Sequence, residues 1–334
     1  MTSRLYSSAF FRLLPVLILG LYLSGERTIR AENAPAAPPT TIKILMVGNS
    51  FAQNISAYFP ALAKEAGETP VVLITMKGGC SLEQHAKALA ASETAPESPQ
   101  ARIYTKGAVI GIPATFPKNY NLLESLKLEK WDYVIIQQFS ALSYKPETYE
   151  PYAHQVVDAI RKYAPQAEIL VHETWAYRED DPLFKKGDFT QAKMYDELKA
   201  AYVKLATDYH LRTIPVGDAF QAARATPRWQ YVPDKTFDYA HPAPGAVPKQ
   251  PGSLNMGWIW NKGEFVMDGH HANQAGKYLG AAVFLETLTG KDVQKLTYVP
   301  QGLDPDAAAD LRRIAHETVQ ASKGAKTPAT ASAP

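Results

Sequence analysis

Residues 41–67 read TIKILMVGNSFAQNISAYFPALAKEAG. Ile42–Val47 is a short, mostly apolar run and reads as a buried strand. Gly48 lets the chain turn sharply after it. Ile55, Tyr58, Phe59, Leu62 and Ala66 then fall on one helical face, and Gly67 is placed to end that helix. Ser50 thus stands where a strand becomes a helix. Its hydroxyl is expected at the open edge of a sheet, beside free backbone N–H groups that favour developing negative charge. The plainer alternative is that Ser50 only caps the helix, since serine is a preferred N-cap.

The same alternation continues outward. Val71–Thr75, Tyr133–Gln137, Glu168–His172 and Thr213–Val216 are four further apolar runs that read as buried strands. Tyr152, Val156, Ala159, Ile160 and Tyr163 mark a helix stopped by Pro165, and Tyr195, Leu198, Tyr202, Leu205 and Tyr209 mark another. Tyr278, Leu279, Ala282 and Leu285 mark the last, closed by Gly290. Five short strands separated by helices predict an α/β protein with a parallel sheet covered on both faces. Two stretches break the rhythm. Residues 92–130, with Tyr104, Gly107, Val109 and Ile110, are expected to form a hairpin, and residues 223–262, rich in Pro, Trp and Tyr, a loop over the site.

The flanks differ from this core. Arg4 and Arg12 precede the apolar Leu13–Leu23, a stretch that is short for a membrane span and suits a signal peptide. Residues 1–31 are therefore expected to be a signal, an uncleaved anchor being the alternative. Residues 32–40 form a Pro/Ala linker, 41–321 the folded domain and 322–334 a low-complexity, disordered tail. The domain is expected outside the cytoplasm, periplasmic or secreted, with no stable membrane span after signal removal. The chain carries a formal net charge of +2. Residues 1–31 hold four arginines against Glu26, a net +3, so the remainder carries −1. No Lys/Arg cluster points to nucleic acid. The single cysteine, Cys80, excludes an internal disulfide and reads as a small buried hydrophobe.

In parallel sheets the chemistry collects beyond the carboxyl ends of the strands. There the sequence places Gly48-Asn49-Ser50, Lys77-Gly78-Gly79-Cys80-Ser81, Gln137-Gln138-Phe139-Ser140 and Glu173-Thr174-Trp175. Far downstream, Asp268 and His271 lie three apart in MDGHHANQAGKYL. At that spacing a carboxylate in a turn holds one imidazole nitrogen and aims the other outward, the orienter-and-base half of a triad. The adjacent His270 raises a metal-ligand reading, against which stands the lack of a His-x-x-x-His or acidic cluster. A glycine loop at Gly78-Gly79, ahead of the capping-box pattern Ser81–Gln84, can point backbone N–H groups at an oxyanion; a plain turn is the alternative. One of Gln137 and Gln138 should face the sheet layer and the other the site, where an amide N–H suits an oxyanion. Asn49, Gln137, His85 and Trp175 are candidates for lining the substrate, with ordinary packing as plausible for His85 and Trp175.

Taken in order, these segments resemble the SGNH/GDSL hydrolase superfamily. Gly48-Asn49-Ser50 looks like its first block, Gly78-Gly79 like its second-block glycine, and Asp268-Gly269-His270-His271 like its Asp-x-x-His block. The similarity is greatest to a bacterial branch with Gly-Asn-Ser-Phe, Gly-Gly-Cys-Ser-Leu and Gln-Gln segments. One block departs: Gln137-Gln138-Phe139 stands where the family usually has Gly-x-Asn. The resemblance implies a three-layer α/β/α, flavodoxin-like fold with a parallel five-stranded sheet. It implies ester hydrolysis through an acyl-serine, with Ser50 as nucleophile, His271 as base and Asp268 orienting it. It also implies an oxyanion hole from the N–H groups of Ser50 and Gly79 with the side chain of Gln138, a carbohydrate or other small ester as substrate, and no cofactor or metal. Two rivals remain: a carbohydrate-binding relative with impaired catalysis, and a metal-dependent hydrolase built on His270 and His271.

Overall fold

The computed structural model describes residues 40–113, 115–185 and 187–324. The expected signal, residues 32–39 of the linker and the tail beyond Gly324 lie outside the described residues. The first strand already begins at Thr40, and the final helix runs to Gly324, three residues into the expected tail.

The opening unit is a strand, two short helices and a strand: β1 (Thr40–Gly48), α1 (Ser50–Ser56), α2 (Phe59–Glu65) and β2 (Glu68–Met76). The single helix expected over 55–66 is broken in two at residues 57–58. Then come α3 (Leu82–Thr94), β3 (Tyr104–Ile110), β4 (Asn119–Tyr120), α4 (Leu122–Leu128), β5 (Tyr133–Ile136), α5 (Tyr152–Tyr163), β6 (Glu168–His172), α6 (Gln191–Tyr209), β7 (Arg212–Ile214) and α7 (Val216–Arg224). The chain closes with β8 (Asn255–Asn261), β9 (Glu264–Ala272), α8 (Gln274–Thr289) and α9 (Pro305–Gly324).

The main sheet has the order β4-β3-β2-β1-β5-β6-β7. Its five parallel strands, β2-β1-β5-β6-β7, are the five expected runs, in flavodoxin-like order. β3 and β4 extend the β2 edge antiparallel, so the irregular stretch 92–130 does supply antiparallel strands. The centre of the sheet is dry. Leu45, Val47, Leu73, Ile74, Val134, Ile136, Leu170 and Val171 are fully buried. This is the pattern of strands covered on both faces. α3, α4 and α5 pack together on one face, and α1, α2, α7, α8 and α9 on the other.

Two expectations need correcting. The helix closed by Gly290 is not the last. α9 follows, burying Ala307, Ala308, Leu311, Ile314, Ala315 and Val319. α8 is buried nearly all round between the sheet and α9, as a helix without a polar face must be. The stretch 223–262 is not simply a loop. It ends in β8, which pairs antiparallel with β9 as a separate two-stranded sheet. No helix among the described residues is long and apolar enough to cross a membrane.

Candidate active site

Ser50 is the first residue of α1, directly after β1. It is not the helix cap. That task falls to Asn49, whose Oδ1 accepts from the Phe51 N–H at 3.0 Å. The Ser50 hydroxyl is thereby free for another partner. Gly48 is required for close approach: a Cβ there would sit 2.9 Å from the Ala52 Cβ and 3.2 Å from the Gln137 Oε1.

Asp268 and His271 reach Ser50 because β9 is irregular. Asn255 pairs with Ala272, but two residues later Gly257 pairs with Asp268. β9 therefore carries two extra residues, and this bulge folds His271 back over Asp268. The His271 Nδ1 lies 2.9 Å from the Asp268 Oδ2, and its Nε2 lies 2.9 Å from the Ser50 Oγ. The His271 backbone N–H donates to the Asp268 Oδ1 at 3.0 Å. The three expected residues are thus joined in one hydrogen-bonded line. Burial works against the charge on Asp268, but the ring and backbone hydrogen bonds of His271, with the nearby imidazoles, outweigh it and hold its pKa near 2.

His270 stands beside this line. Its Nδ1 is 3.3 Å from the Asp268 Oδ1, and its ring centroid is 4.2 Å from that of His271. Burial and the neighbouring His271 lower its pKa, against the pull of Asp268 and Asp181. Asp268, His270 and His271 offer ligand atoms within 4.8 Å of one another, so they are able to hold a metal ion. In the arrangement described, however, both nitrogens of His271 are already engaged by Asp268 and Ser50.

The residues expected to line substrate take other roles. Asn49, His85 and Trp175 are fully buried, and Gln137 nearly so. A buried amide must be hydrogen-bonded, and here two amides are bonded to each other. The Gln137 Nε2 donates to the Asn49 Oδ1 at 2.9 Å, while the His172 Nδ1 lies 2.7 Å from the Gln137 Oε1. The Asn49 Nδ2 donates to the Cys80 carbonyl at 3.0 Å. This line of polar groups joins the ends of β6, β5 and β1 to the Gly78-Gly79 loop, directly beneath the nucleophile turn. Burial pushes the pKa of His172 down to about 3, so that it stays neutral. His85 stacks on Tyr104 and meets its hydroxyl at 2.8 Å, and burial lowers its pKa to about 3 as well. Trp175 is stacked between Phe51 and Phe220, and its indole N–H donates to the His270 carbonyl at 2.8 Å.

Gln138 also differs from expectation. Its Nε2 donates to the Thr148 carbonyl at 3.0 Å and lies 3.2 Å from the Thr148 hydroxyl. Its Oε1 accepts from the N–H groups of Leu82 and Phe139. Each end of the amide is thus engaged within the protein. Gln138 instead ties the start of α3 to the segment after β5. Gly79 adopts φ +62° in the turn closed by the Cys80 N–H and the Lys77 carbonyl, with room beside it only up to the Phe139 ring.

Sequence reasoning missed Arg178 and Asp181. Arg178 is buried and forks onto both oxygens of Asp180, at 2.7 and 3.0 Å. It also donates to the Gln250 Oε1 and the Ser253 Oγ, and lies 3.9 Å over the Tyr231 ring. Its backbone N–H donates to the Gly269 carbonyl, inside the bulge that carries His271. Asp181 packs against Gly269 from the same side. The signal was present as the charged run Arg178–Asp181 just past a strand end.

Fold and site together define an α/β protein with a Ser–His–Asp hydrogen-bonded line at the carboxyl edge of a parallel sheet. The chain belongs to the family described as a domain of unknown function, DUF4886, which matches residues 43–241. That span includes Ser50 and ends before Asp268. A DUF4886 family protein from Bacteroides uniformis is similar in structure, with 27% identity, a TM-score of 0.65, and coverage of 84% of this chain and 95% of that one. A lipase/acylhydrolase from Enterococcus faecalis matches at 13% identity and TM-score 0.42, over 75% of this chain and 96% of its own. An aryl esterase of M. smegmatis matches at 13% identity and TM-score 0.40, over 75% and 99%. No curated protein matches the sequence.

Proposed function

We propose that the chain is an exported serine ester hydrolase. The observation that carries this reading is the line from the Ser50 Oγ to the His271 Nε2 and from the His271 Nδ1 to the Asp268 Oδ2, each step 2.9 Å. In this reading His271 takes the Ser50 proton as the oxygen attacks the ester carbonyl. Asp268, held ionised, stabilises the imidazolium and fixes the ring. The backbone N–H groups of Ser50 and Gly79 receive the oxyanion. Collapse expels the alcohol, which takes the proton from His271, and water then cleaves the acyl-serine by the same steps. A small acyl group, such as acetyl, on a carbohydrate or other small ester is the proposed substrate. The sequence resemblance, rather than any contact in the site, supports that choice. The signal-like residues 1–31 support action in the periplasm or outside the cell.

The test is intact-mass analysis after treatment with a fluorophosphonate, with peptide mapping. One adduct on the peptide containing Ser50 is expected; no adduct, or an adduct elsewhere, overturns the reading. The full engagement of Gln138 favours a second reading, a carbohydrate-binding relative that lacks an amide oxyanion donor. Absence of turnover on a simple aryl acetate would select it. The metal-dependent alternative draws on the close approach of Asp268, His270 and His271, and loss of turnover in a chelator at unchanged Tm would select that one.

A further inference from the structure

We propose that Glu286, Asp292 and His316 form a second, independent site that binds one divalent transition-metal ion and ties α9 to α8. Glu286 comes from α8, Asp292 from the short turn after it, and His316 from the middle of α9. The His316 Nδ1 is 2.8 Å from the Glu286 Oε1 and 3.3 Å from the Asp292 Oδ1. The three residues each offer a ligand atom within 4.8 Å of the others.

A simple ion pair does not account for this arrangement. The His316 Nδ1 is buried and makes no hydrogen bond, although two carboxylate oxygens lie within reach. The nitrogen is therefore aimed past both oxygens rather than at either. Ligands bonded to an ion at about 2.0–2.2 Å stand roughly 3–3.5 Å apart, close to the separations found here. An ion among the three atoms satisfies the imidazole and neutralises two neighbouring carboxylates at once.

The surroundings support the same assignment. Glu286 is fully buried, and a buried carboxylate needs compensation. Its Oε2 accepts from the Val293 N–H at 3.1 Å and its Oε1 from the Gln320 amide at 2.6 Å. The Asp292 Oδ1 accepts from the Gln294 N–H at 3.0 Å. Donors of this kind orient ligating carboxylates from the outer shell. His316 and Asp292 are partly exposed, which leaves an entry path and space for water to complete the coordination. Lys295, 3.5 Å from the Asp292 Oδ2, is largely exposed and free to swing away. One imidazole with two carboxylates suits Zn²⁺ or Mn²⁺ better than Ca²⁺, which takes oxygen ligands.

The experiment is calorimetric titration of the chelator-treated full chain with Zn²⁺, paired with melting curves. The wild type is expected to bind with a rise in Tm of roughly 5 °C at a hundredfold excess over Kd. His316→Gln should fold, melt like the Zn²⁺-free wild type, and lose that response, with affinity reduced at least about tenfold. Glu286→Gln should behave likewise. His270→Asn controls for the cluster around Asp268 and must retain the Tm rise. The proposal is overturned if the wild type gains no stability with Zn²⁺ or Mn²⁺, if His316→Gln responds as the wild type does, or if only His270→Asn loses the response. None of these readouts depends on esterase activity.

Discussion

Asn49 frees the residue that follows it. Because its Oδ1 caps α1, the Ser50 hydroxyl meets His271 instead of the helix end. Ser50→Ala should therefore keep the wild-type Tm and lose roughly 10⁶ in kcat on an aryl acetate. Near-normal turnover in a folded variant would refute the nucleophile assignment. His271→Ala should be equally inactive, whereas His270→Ala should retain most of its activity, since only His271 touches Ser50. A dead His270→Ala beside an active His271→Ala reverses the roles. Gln138 was expected to donate to the oxyanion, which predicts a loss in kcat. With its amide bonded to Thr148, Leu82 and Phe139, Gln138→Ala should instead lower stability by about 1–3 kcal/mol, the cost of orphaned buried groups. Urea unfolding and kinetics on one preparation separate the two; unchanged stability with a fallen kcat would restore the oxyanion role.

At the scale of elements, the β8–β9 hairpin is the piece that completes the site. Among the described residues its two strands pair with each other and not with the main sheet, so other contacts must hold it in place. Arg178 supplies several of them, joining Asp180, Gln250, Ser253 and the Gly269 carbonyl. Arg178→Met keeps the apolar bulk but removes the guanidinium from Asp180, Gln250 and Ser253, leaving them the Tyr231 hydroxyl and the N–H groups of Trp258 and Asn255. The expected cost is about 1–3 kcal/mol in urea unfolding, that of hydrogen bonds lost around a partly exposed carboxylate. In the folded fraction kcat should fall, because the hairpin that carries His271 keeps the backbone bond to Gly269 but loses the guanidinium beside Gln250, Ser253 and Met267. Unfolding and kcat both indistinguishable from wild type would show that the hairpin is held elsewhere. Gly280 marks a similar dependence between elements: a Cβ there would run into Ile55 of α1, so α8 and α1 pack as closely as they do only with glycine.

Across the whole molecule, one buried acid should govern the response to pH. Glu173 directly follows β6 and faces Asp218 of α7, which is paired with Lys199 and Tyr195 of α6. Burial, then the charge of Asp218, raises the pKa of Glu173 well above 4.5. Below that value both the folded and unfolded chains hold the proton. As pH rises through it, the unfolded chain releases the proton and the folded one keeps it, so stability falls toward the folded pKa. Glu173→Gln removes this term, and its Tm advantage over wild type should widen as pH rises above about 4.5. A constant difference across that range would contradict the assignment. The sequence alone determined the five parallel strands, because strands covered on both faces leave long apolar runs. It also determined the spacing of Gly-Asn-Ser and Asp-x-x-His, since a turn places those residues locally. α9 was equally legible, in the helical spacing of Ala308, Leu311, Ala315 and Val319 and in the lack of a polar face on α8, although the expected helices ended at Gly290. Tertiary structure alone decided which amide bonds to which. A glutamine at a strand end reads the same whether it meets an oxyanion or Thr148, because its partners lie on other segments. The same holds for Arg178, His172 and His316: their roles come from groups brought together across the fold, and no local pattern encodes such a meeting.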